Sequence, residues 1–200
     1  MVPRGSTTAL VGRSGSGKST LARCLALLER PDAGDILVDG QTTHGLSGQK
    51  LAAARRSVQL VVQDPVRAVN PRFTVAEAVT EPLQVTGVGS KERREKAAEL
   101  LQEAQLDVDL LDRPARRLSG GQLQRLVLAR ALACNPRALI LDEALSGLDL
   151  SVRARLIELL ETLQDRHGIT YVLLSHNLGL VAHLADRVYR LEDGRVVSER

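Results

Sequence analysis

The chain has 200 residues, 44% of them hydrophobic and 26% charged, which is the composition of a single globular domain with an aliphatic core. No apolar stretch approaches the roughly 20 residues needed to cross a bilayer, and the N-terminus lacks a signal-peptide pattern, so we expect neither an embedded nor a secreted protein. The net charge of +3 comes from interleaved charges, which gives no argument for a nucleic-acid partner.

Strands and helices are predicted to alternate along the first third of the chain. Residues 6–11 form a predicted buried strand, because β-branched and apolar residues lead into a glycine-rich turn. A helical spacing follows over residues 18–28, and residues 36–38 are predicted to form a strand that ends at the Asp39-Gly40 turn. Residues 58–63 are predicted to form another buried strand.

The rest of the chain is predicted to be helical first and mixed later. Helices are predicted over residues 74–83, 91–106 and 120–133, the last of them ending before Asn135-Pro136. The remaining predicted elements are a helix over residues 151–167 and strands over residues 138–141, 170–174, 188–191 and 195–198.

Most of the predicted strands are continuous apolar runs, which is typical of a parallel sheet covered by helices on both faces. The sequence therefore predicts an α/β fold with a mostly parallel sheet flanked by helices. The helical stretch over residues 64–117 interrupts the alternation, and we interpret it as an inserted helical subdomain. Residues 1–63 and 118–200 would then form the α/β core of a single domain.

A phosphate-binding motif lies at the start of the chain. Residues 12–20 match G-x-x-x-x-G-K-[ST] between a predicted strand and a predicted helix, which is the context that the motif requires. Glycines let successive backbone N–H groups point at anionic oxygens, and the helix brings its positive end to the same phosphates. Lys18 would reach the β- and γ-phosphates, and the Ser19 hydroxyl would ligate Mg²⁺. The predicted nucleotide-binding residues are Gly12, Ser14, Gly15, Ser16, Gly17, Lys18, Ser19 and Thr20.

A pair of carboxylates follows the predicted strand at residues 138–141. A buried strand that ends in a carboxylate is the feature with which phosphate-loop enzymes hold Mg²⁺, and Asp142 is the candidate for that role. Glu143 is placed to orient and deprotonate an attacking water. Acidic residues often simply end strands, so this pair is strong evidence for a nucleotide-hydrolysing site only in combination with the phosphate loop.

The segment Leu118-Ser119-Gly120-Gly121-Gln122 opens a predicted helix, with Ser119 as its N-cap. A second phosphate-binding helix start in one domain is redundant unless it serves the nucleotide of another copy. With the phosphate loop and the Asp-Glu pair in this order, the sequence resembles the nucleotide-binding subunits of ATP-binding-cassette (ABC) transporters over nearly its whole length. The resemblance implies a P-loop NTPase core, ATP and Mg²⁺ as ligands, and a head-to-tail dimer. In that dimer the γ-phosphate held by one subunit would meet Ser119, Gly120, Gly121 and Gln122 of the other.

The same resemblance assigns roles to three further residues. Gln63 matches the glutamine that senses Mg²⁺ and the γ-phosphate and faces the membrane partner. Asp149, at the end of Ser146-Gly147-Leu148-Asp149, matches the aspartate that links the two subunits, and His176 matches the histidine that hydrogen-bonds the γ-phosphate. The implied catalytic set is Glu143, His176, Gln63 and Lys18, and the implied Mg²⁺ ligands are Ser19, Gln63 and Asp142.

Parts of the insert resemble the peptide/nickel importer branch of this family, namely Ala68-Val69-Asn70-Pro71-Arg72 and Glu81-Pro82-Leu83. Within that branch, Ala68-Val69-Asn70-Pro71-Arg72 and the run from Asp142 to Ser146 look closest to nickel or metallophore importer ATPases. The resemblance implies an ATP-hydrolysing subunit that powers import of peptides or nickel and metal chelates, peripheral to the cytoplasmic face of the inner membrane. Its implied partners are transmembrane permease subunits docked on the insert, a second ABC ATPase and, indirectly, a solute-binding protein. Such importers often pair two different ATPases, so we expect a heterodimer, with a homodimer as the alternative.

The sequence departs from the family at its start. Family members normally begin with extra strands that carry an aromatic residue stacked on adenine, and this sequence starts just before the phosphate loop, so we expect other contacts to hold the adenine. Two alternatives stay open at this point: a soluble ABC ATPase of the repair or translation type, and a nucleotide-binding remnant of low activity. The first usually carries two cassettes or long coiled-coil insertions, which this chain lacks.

Overall fold

The computed structural model describes residues 1–199. Their backbone divides into two compact units. Unit 1 consists of residues 1–60 and 136–143 and of the chain from Ile169 onward, and unit 2 consists of residues 61–135 and 144–168. These boundaries differ from the predicted insert over residues 64–117, which stays a prediction. In the described part of the chain, no helix has both the length and the apolar character needed to cross a membrane.

The secondary structure follows the predicted α/β alternation. The strands are β1 (Thr7–Val11), β2 (Leu37–Val38), β3 (Gln41–Thr42), β4 (Val58–Val61), β5 (Ala138–Asp142), β6 (Thr170–Leu174), β7 (Arg187–Glu192) and β8 (Arg195–Glu199). The helices are α1 (Lys18–Leu25), α2 (Gly48–Ser57), α3 (Pro65–Ala68), α4 (Val75–Val85), α5 (Ser90–Glu103), α6 (Gly120–Leu132), α7 (Leu150–His167) and α8 (Leu178–Leu184).

The main sheet has six strands in the order β4-β5-β6-β1-β7-β8. The pairs β5–β6, β1–β6 and β1–β7 are parallel, and β7–β8 is antiparallel. The mostly parallel sheet predicted from the apolar strands is therefore confirmed. Parallel neighbours cannot be joined by a tight turn, so a long connection separates β5 from β6, and β1 lies between β6 and β7, out of chain order.

The core of unit 1 is aliphatic, as the shortage of aromatic residues requires. Ala22 of α1 and Ala26, the C-cap residue of that helix, are at most 3% exposed. They belong to a buried cluster whose other members come mainly from the sheet: Leu10, Val58, Ile140, Val172, Leu174 and Leu191. Small alanines on the buried face of α1 let the helix approach the strands closely, and this packing fixes the start of α1 relative to the sheet.

The predicted tight turn at Asp39-Gly40 is present, and it joins β2 and β3 in a hairpin. Asp39 and Gly40 have φ values of 53° and 76°, which are the left-handed values of a two-residue turn that matches the strand twist. The Asp39 carboxylate accepts hydrogen bonds from Arg4 and Arg137. Desolvation raises the pKa of Asp39, but the hydrogen bonds from Arg137 and Arg4 outweigh it and lower that pKa below its ordinary value.

Several element boundaries differ from the predictions. The helix predicted to reach Leu28 ends at Leu25, because Leu27 adopts a left-handed φ of 59°. The amides of Leu27 and Leu28 donate to the carbonyls of Cys24 and Arg23, which is the usual closing pattern of a helix with a left-handed residue. The strand predicted over residues 58–63 ends at Val61. Helices α2, α3 and α8 were not predicted.

Unit 2 is helical, and two of its helices start with the same device. At α4 the Thr74 side chain accepts from the amide of Glu77, whose carboxylate accepts from the amide of Thr74. At α6 the side chains of Ser119 and Gln122 make the same reciprocal pair. Each pair satisfies two amides that the helix itself leaves without partners. The prediction of Ser119 as an N-cap is confirmed.

Candidate functional site

The strand register in unit 1 brings three chain segments to one edge of the sheet. Leu10 of β1 and Asp142 of β5 both lie opposite Leu174 of β6. The strands are parallel, so the segments that follow them leave the sheet side by side. In open α/β sheets, ligands bind outside the carboxyl ends of the strands. The residues after Val11, Asp142 and Leu174 therefore form the candidate site of this unit.

The phosphate loop follows β1 and has the predicted backbone shape. Gly15 and Gly17 have φ values of 81° and 102°, a region that side chains disfavour. Gly17 is the N-cap of α1, so the first amides of that helix lie directly after the loop. Lys18 is 6% exposed, and its ammonium group donates to the carbonyls of Gly12 and Arg13 at 2.8 and 2.9 Å. The loop thus surrounds a buried cation.

Two further observations fit an anionic ligand in this loop. A Cβ at Gly12 would overlap the Leu191 carbonyl oxygen and would lie 2.8 Å from Ser16 Oγ, so the backbone there has no room for a side chain. Ser16 is 7% exposed, and its hydroxyl has no hydrogen-bond partner in the described structure. A buried hydroxyl without a partner is costly unless a ligand completes it. The loop therefore fits a phosphate group.

The Ser19 hydroxyl donates to Asp142 Oδ1 at 3.3 Å. Mg²⁺ prefers oxygen ligands and is usually held by one or two protein groups, with water and substrate phosphates completing its coordination. The pair matches that donor set. Within residues 1–199, no cluster of three or more His, Cys, Asp or Glu could hold a metal by itself. The residues present therefore fit a magnesium ion that is bound together with phosphates.

Glu143 follows Asp142 in a left-handed conformation with a φ of 50°. Its amide donates to the Leu174 carbonyl at 3.1 Å, so the end of β6 holds this disfavoured backbone in place. The Oε1 atom of Glu143 lies 3.1 Å from Nδ1 of His176. With an ionised carboxylate, the proton of that contact resides on Nδ1, which leaves Nε2 of the exposed imidazole ring for another partner. A carboxylate oriented by an imidazole can act as a general base.

Unit 1 thus brings together Lys18, Ser19, Asp142, Glu143 and His176, all predicted from the sequence. Ser14 and Thr20 are exposed, the first in the loop and the second in the first turn of α1. The order of the motifs predicted the set, but no sequence signal predicted the left-handed backbone of Glu143.

The other predicted residues lie in unit 2. Ser119 and Gly120 are exposed at the start of α6, and the amides of Gly120 and Gly121 belong to the first helical turn, where intrahelical partners are absent. A Cβ at Gly121 would lie 2.7 Å from Val152 Cγ1 of α7. Glycine at this position therefore lets α6 and α7 approach each other within the unit.

Gln63 and Asp149 are both exposed residues at the ends of unit 2 elements. Gln63 lies between β4 and α3, and Asp149 is the N-cap residue of α7 without a side-chain capping bond. The loop before Asp149 is held by a residue that the sequence analysis missed. Arg153 donates from Nη2 to the Leu148 carbonyl at 3.0 Å. An arginine four positions after the aspartate on the same helix was the available signal.

The chain is similar to curated importer subunits. It is 44% identical to the nickel import ATP-binding protein NikE of Brucella abortus over 199 residues, which is 99% of this chain and 75% of that protein. It is 41% identical to a peptide import ATP-binding protein of Brucella ovis over 198 residues, which is 98% of this chain. The chain spans 62% of the length of that relative.

The fold is similar to a solved cassette. The dimeric post-hydrolysis structure of the ATP-binding cassette MJ0796, bound to ADP and Pi, superposes with a TM-score of 0.88 at 32% identity. The match covers 100% of this chain and 87% of that one. The ABC transporter family matches residues 1–146, and these residues contain the phosphate loop, the Ser119–Gln122 segment and the Asp142-Glu143 pair. The chain therefore belongs to the ABC transporter family.

Proposed function

We propose that this chain is the ATP-binding and ATP-hydrolysing subunit of an importer for peptides or for nickel and metal chelates. The observation that carries the proposal is the contact between Glu143 and His176 at the same sheet edge as Lys18 and the Ser19–Asp142 pair. The cation, two of the three implied magnesium ligands and the general base are thus supplied by one unit. The similarity to both nickel and peptide import subunits favours an importer over a repair or translation ATPase.

Each residue has a separate task in hydrolysis. Lys18 binds the β- and γ-phosphates as a point charge, and the amides at the start of α1 bind their oxygens. Ser19 and Asp142 would hold Mg²⁺, which supplies charge neutralisation to the phosphates when bound. Glu143 accepts a proton from the attacking water at its carboxylate, and His176 orients that carboxylate through Nδ1. Donation from Nε2 to the γ-phosphate at the same time requires the imidazolium form, which carries a proton on both nitrogens. Positioning and charge stabilisation supply most of the rate in phosphoryl transfer.

The second half of the site would come from another subunit. Ser119, Gly120, Gly121 and Gln122 present amides and a hydroxyl at a helix start, and Asp149 would link the two subunits. The Ser119 hydroxyl accepts from the Gln122 amide, which holds the start of α6 ready for an anion. The dimeric state of the similar cassette bound to ADP and Pi supports this arrangement. We propose a heterodimer with a second ABC ATPase, and a homodimer as the alternative.

The test replaces the general base while keeping its volume. In Glu143→Gln we expect the ATP affinity to stay within about 2-fold, because Lys18 and the loop are unchanged, and hydrolysis to fall at least ~100-fold. ATP bound without turnover should also accumulate the dimer, which size-exclusion chromatography with Mg²⁺-ATP would show.

Glu158→Gln is the matched control, because Glu158 is an exposed carboxylate on α7 remote in sequence from every predicted site residue. It should hydrolyse ATP at the wild-type rate. Wild-type turnover in Glu143→Gln would show that another group accepts the proton, and would refute the assigned roles.

The membrane role is also a proposal. We propose that the helical stretch over residues 64–117 docks on permease subunits at the cytoplasmic face of the inner membrane, and that a solute-binding protein delivers the cargo to those subunits. Co-purification with a permease pair tests the docking. Stimulation of ATP hydrolysis in the reconstituted importer, by binding protein loaded either with peptide or with nickel chelate, distinguishes the two cargoes.

A further inference from the structure

Arg130, near the end of α6, joins three elements of unit 2. Its Nη1 donates to the Ala68 carbonyl at the end of α3, at 2.8 Å. Its Nη2 lies 2.8 Å from Glu81 Oε2 on α4, in an ion pair whose side chains are 33% and 36% exposed. Its Nε is buried without a partner in the described structure. The guanidinium group is therefore bound by two different elements at once. The additional contact with the Ala68 carbonyl restricts its motion more than an isolated surface ion pair would.

The first of these contacts fixes the chain that leaves Gln63. Asp64 directly follows Gln63 and caps α3, because its carboxylate accepts from the Val66 amide at 3.0 Å and lies 3.2 Å from Arg67 Nε. The short helix α3 is therefore a closed turn, and it ends at Ala68, whose carbonyl is bound by Arg130. Arg130 thus holds the far end of the turn that begins beside Gln63.

A second set of bonds fixes the same stretch near the start of α6. The Ala115 amide donates to the Phe73 carbonyl at 2.9 Å, and the Val75 amide donates to the Arg113 carbonyl at 2.9 Å. Residues 113–115 lie shortly before Ser119. The stretch from Asp64 to Phe73, which we call the Gln63 exit segment, is therefore attached close to the start of α6 by backbone bonds and close to the end of α6 by Arg130.

We propose that Arg130 is a positioning residue that fixes Gln63 relative to the helix beginning at Ser119. The proposal rests on the proposed function, and on the role that the family resemblance implies for Gln63, which is to sense Mg²⁺ and the γ-phosphate. Phosphoryl transfer depends mainly on alignment, so loosening one attachment of the Gln63 exit segment slows the chemical step while Lys18 still binds the phosphates.

Lysine cannot replace arginine here. A guanidinium group presents several N–H donors in a rigid plane, so it binds a carbonyl and a carboxylate together, whereas an ammonium group is a point charge on a flexible stem. Arg130→Lys keeps the charge opposite Glu81 but loses the simultaneous contact with the Ala68 carbonyl. Glu81→Gln keeps the contact between Arg130 and the Ala68 carbonyl and removes only the negative charge opposite Arg130.

The first measurement is hydrogen exchange of the nucleotide-free protein, which does not depend on activity. We expect Arg130→Lys to raise the amide exchange rate across the Gln63 exit segment by about 10-fold, because the segment can then unfold locally without unfolding of the rest of the unit. Arg94→Lys is the matched control, since Arg94 forms a two-bond ion pair with Asp112 in the same unit, at 2.8 Å for each bond, and does not contact the exit segment. It should leave exchange there unchanged.

The second measurement is steady-state hydrolysis by the full chain with its partner subunit. In Arg130→Lys we expect kcat to fall about 10-fold while KM for ATP stays within about 2-fold, and in Glu81→Gln a fall in kcat of about 3-fold. A general loss of stability would lower the active fraction of Arg130→Lys and Arg94→Lys alike. We therefore expect Arg94→Lys to keep the wild-type kcat and KM.

Wild-type kcat in Arg130→Lys would overturn the proposal, and so would an equal loss in Arg94→Lys. An unchanged exchange rate in the Gln63 exit segment would overturn it too. Failure of the proposed function looks different, because the wild-type protein itself would then not hydrolyse ATP.

Discussion

The two glycine-rich segments of this protein use glycine for different reasons. In the phosphate loop of unit 1, Gly15 and Gly17 adopt left-handed φ values, and Gly12 faces the Leu191 carbonyl with no room for a Cβ. In the Ser119–Gln122 segment of unit 2, Gly121 also lacks room for a Cβ because of Val152, but a Cβ at Gly120 would find no atom within 4 Å. The loop of unit 1 is thus shaped by steric demands within its own chain. Nothing in unit 2 requires glycine at position 120, which fits a surface that another molecule approaches closely.

The comparison predicts that substitutions in the two units have separable effects, the largest of them at Lys18. In Lys18→Met we expect ATP affinity to fall at least ~100-fold, because the variant loses a buried cation that would make charge-assisted hydrogen bonds to the phosphates. Isothermal titration of the unpaired subunit measures this. Lys96→Met is the control in unit 2, where Lys96 forms an exposed pair with Glu99, and it should bind ATP as the wild type does. Equal affinity in both variants would contradict the assignment of the loop.

The glycines themselves provide the next test. Gly12→Ala places a methyl group against the Leu191 carbonyl and Ser16 Oγ, so we expect the free energy of unfolding to fall by about 1–3 kcal/mol. Gly120→Ala places a methyl group in open space within a helix, where alanine is favoured over glycine, and should not destabilise the protein. Urea unfolding of both variants measures the difference. A destabilised Gly120→Ala would mean that unit 2 constrains Gly120 sterically, as it constrains Gly121 against Val152.

The smallest expected loss of stability comes from a pair of variants that tests whether Ser119 only caps α6 or also binds nucleotide. Ser119→Ala and Thr74→Ala each remove one capping box of unit 2, and each should cost about 1 kcal/mol of stability. Both should bind ATP normally as unpaired subunits, because the phosphate loop lies in unit 1. In the paired state, Ser119→Ala alone should lose hydrolysis, which an assay with the partner subunit measures. Equal hydrolysis by the two variants would show that Ser119 caps α6 but does not take part in nucleotide binding.

The motifs made the α/β fold and the residues of unit 1 predictable, since a phosphate loop fixes residue types at fixed spacing. Other features have no such signature. The end of α1 was missed because its left-handed position is occupied by Leu27 where glycine is usual. Helix α2 was missed because it has no buried residues and hence no apolar stripe. Helix α8 was missed although Asn177 caps it, because it is short.

The sequence by itself determined the family and the phosphate loop and predicted Glu143 as the reactive carboxylate, because their chemistry requires particular side chains in a particular order. Tertiary structure alone decided that β1, β5 and β6 end side by side, that Glu143 takes a left-handed backbone to meet His176, and that Arg130 connects Ala68 with Glu81. These contacts join residues that are distant in the chain. Their formation depends on strand register and helix packing, which no local pattern of residues specifies.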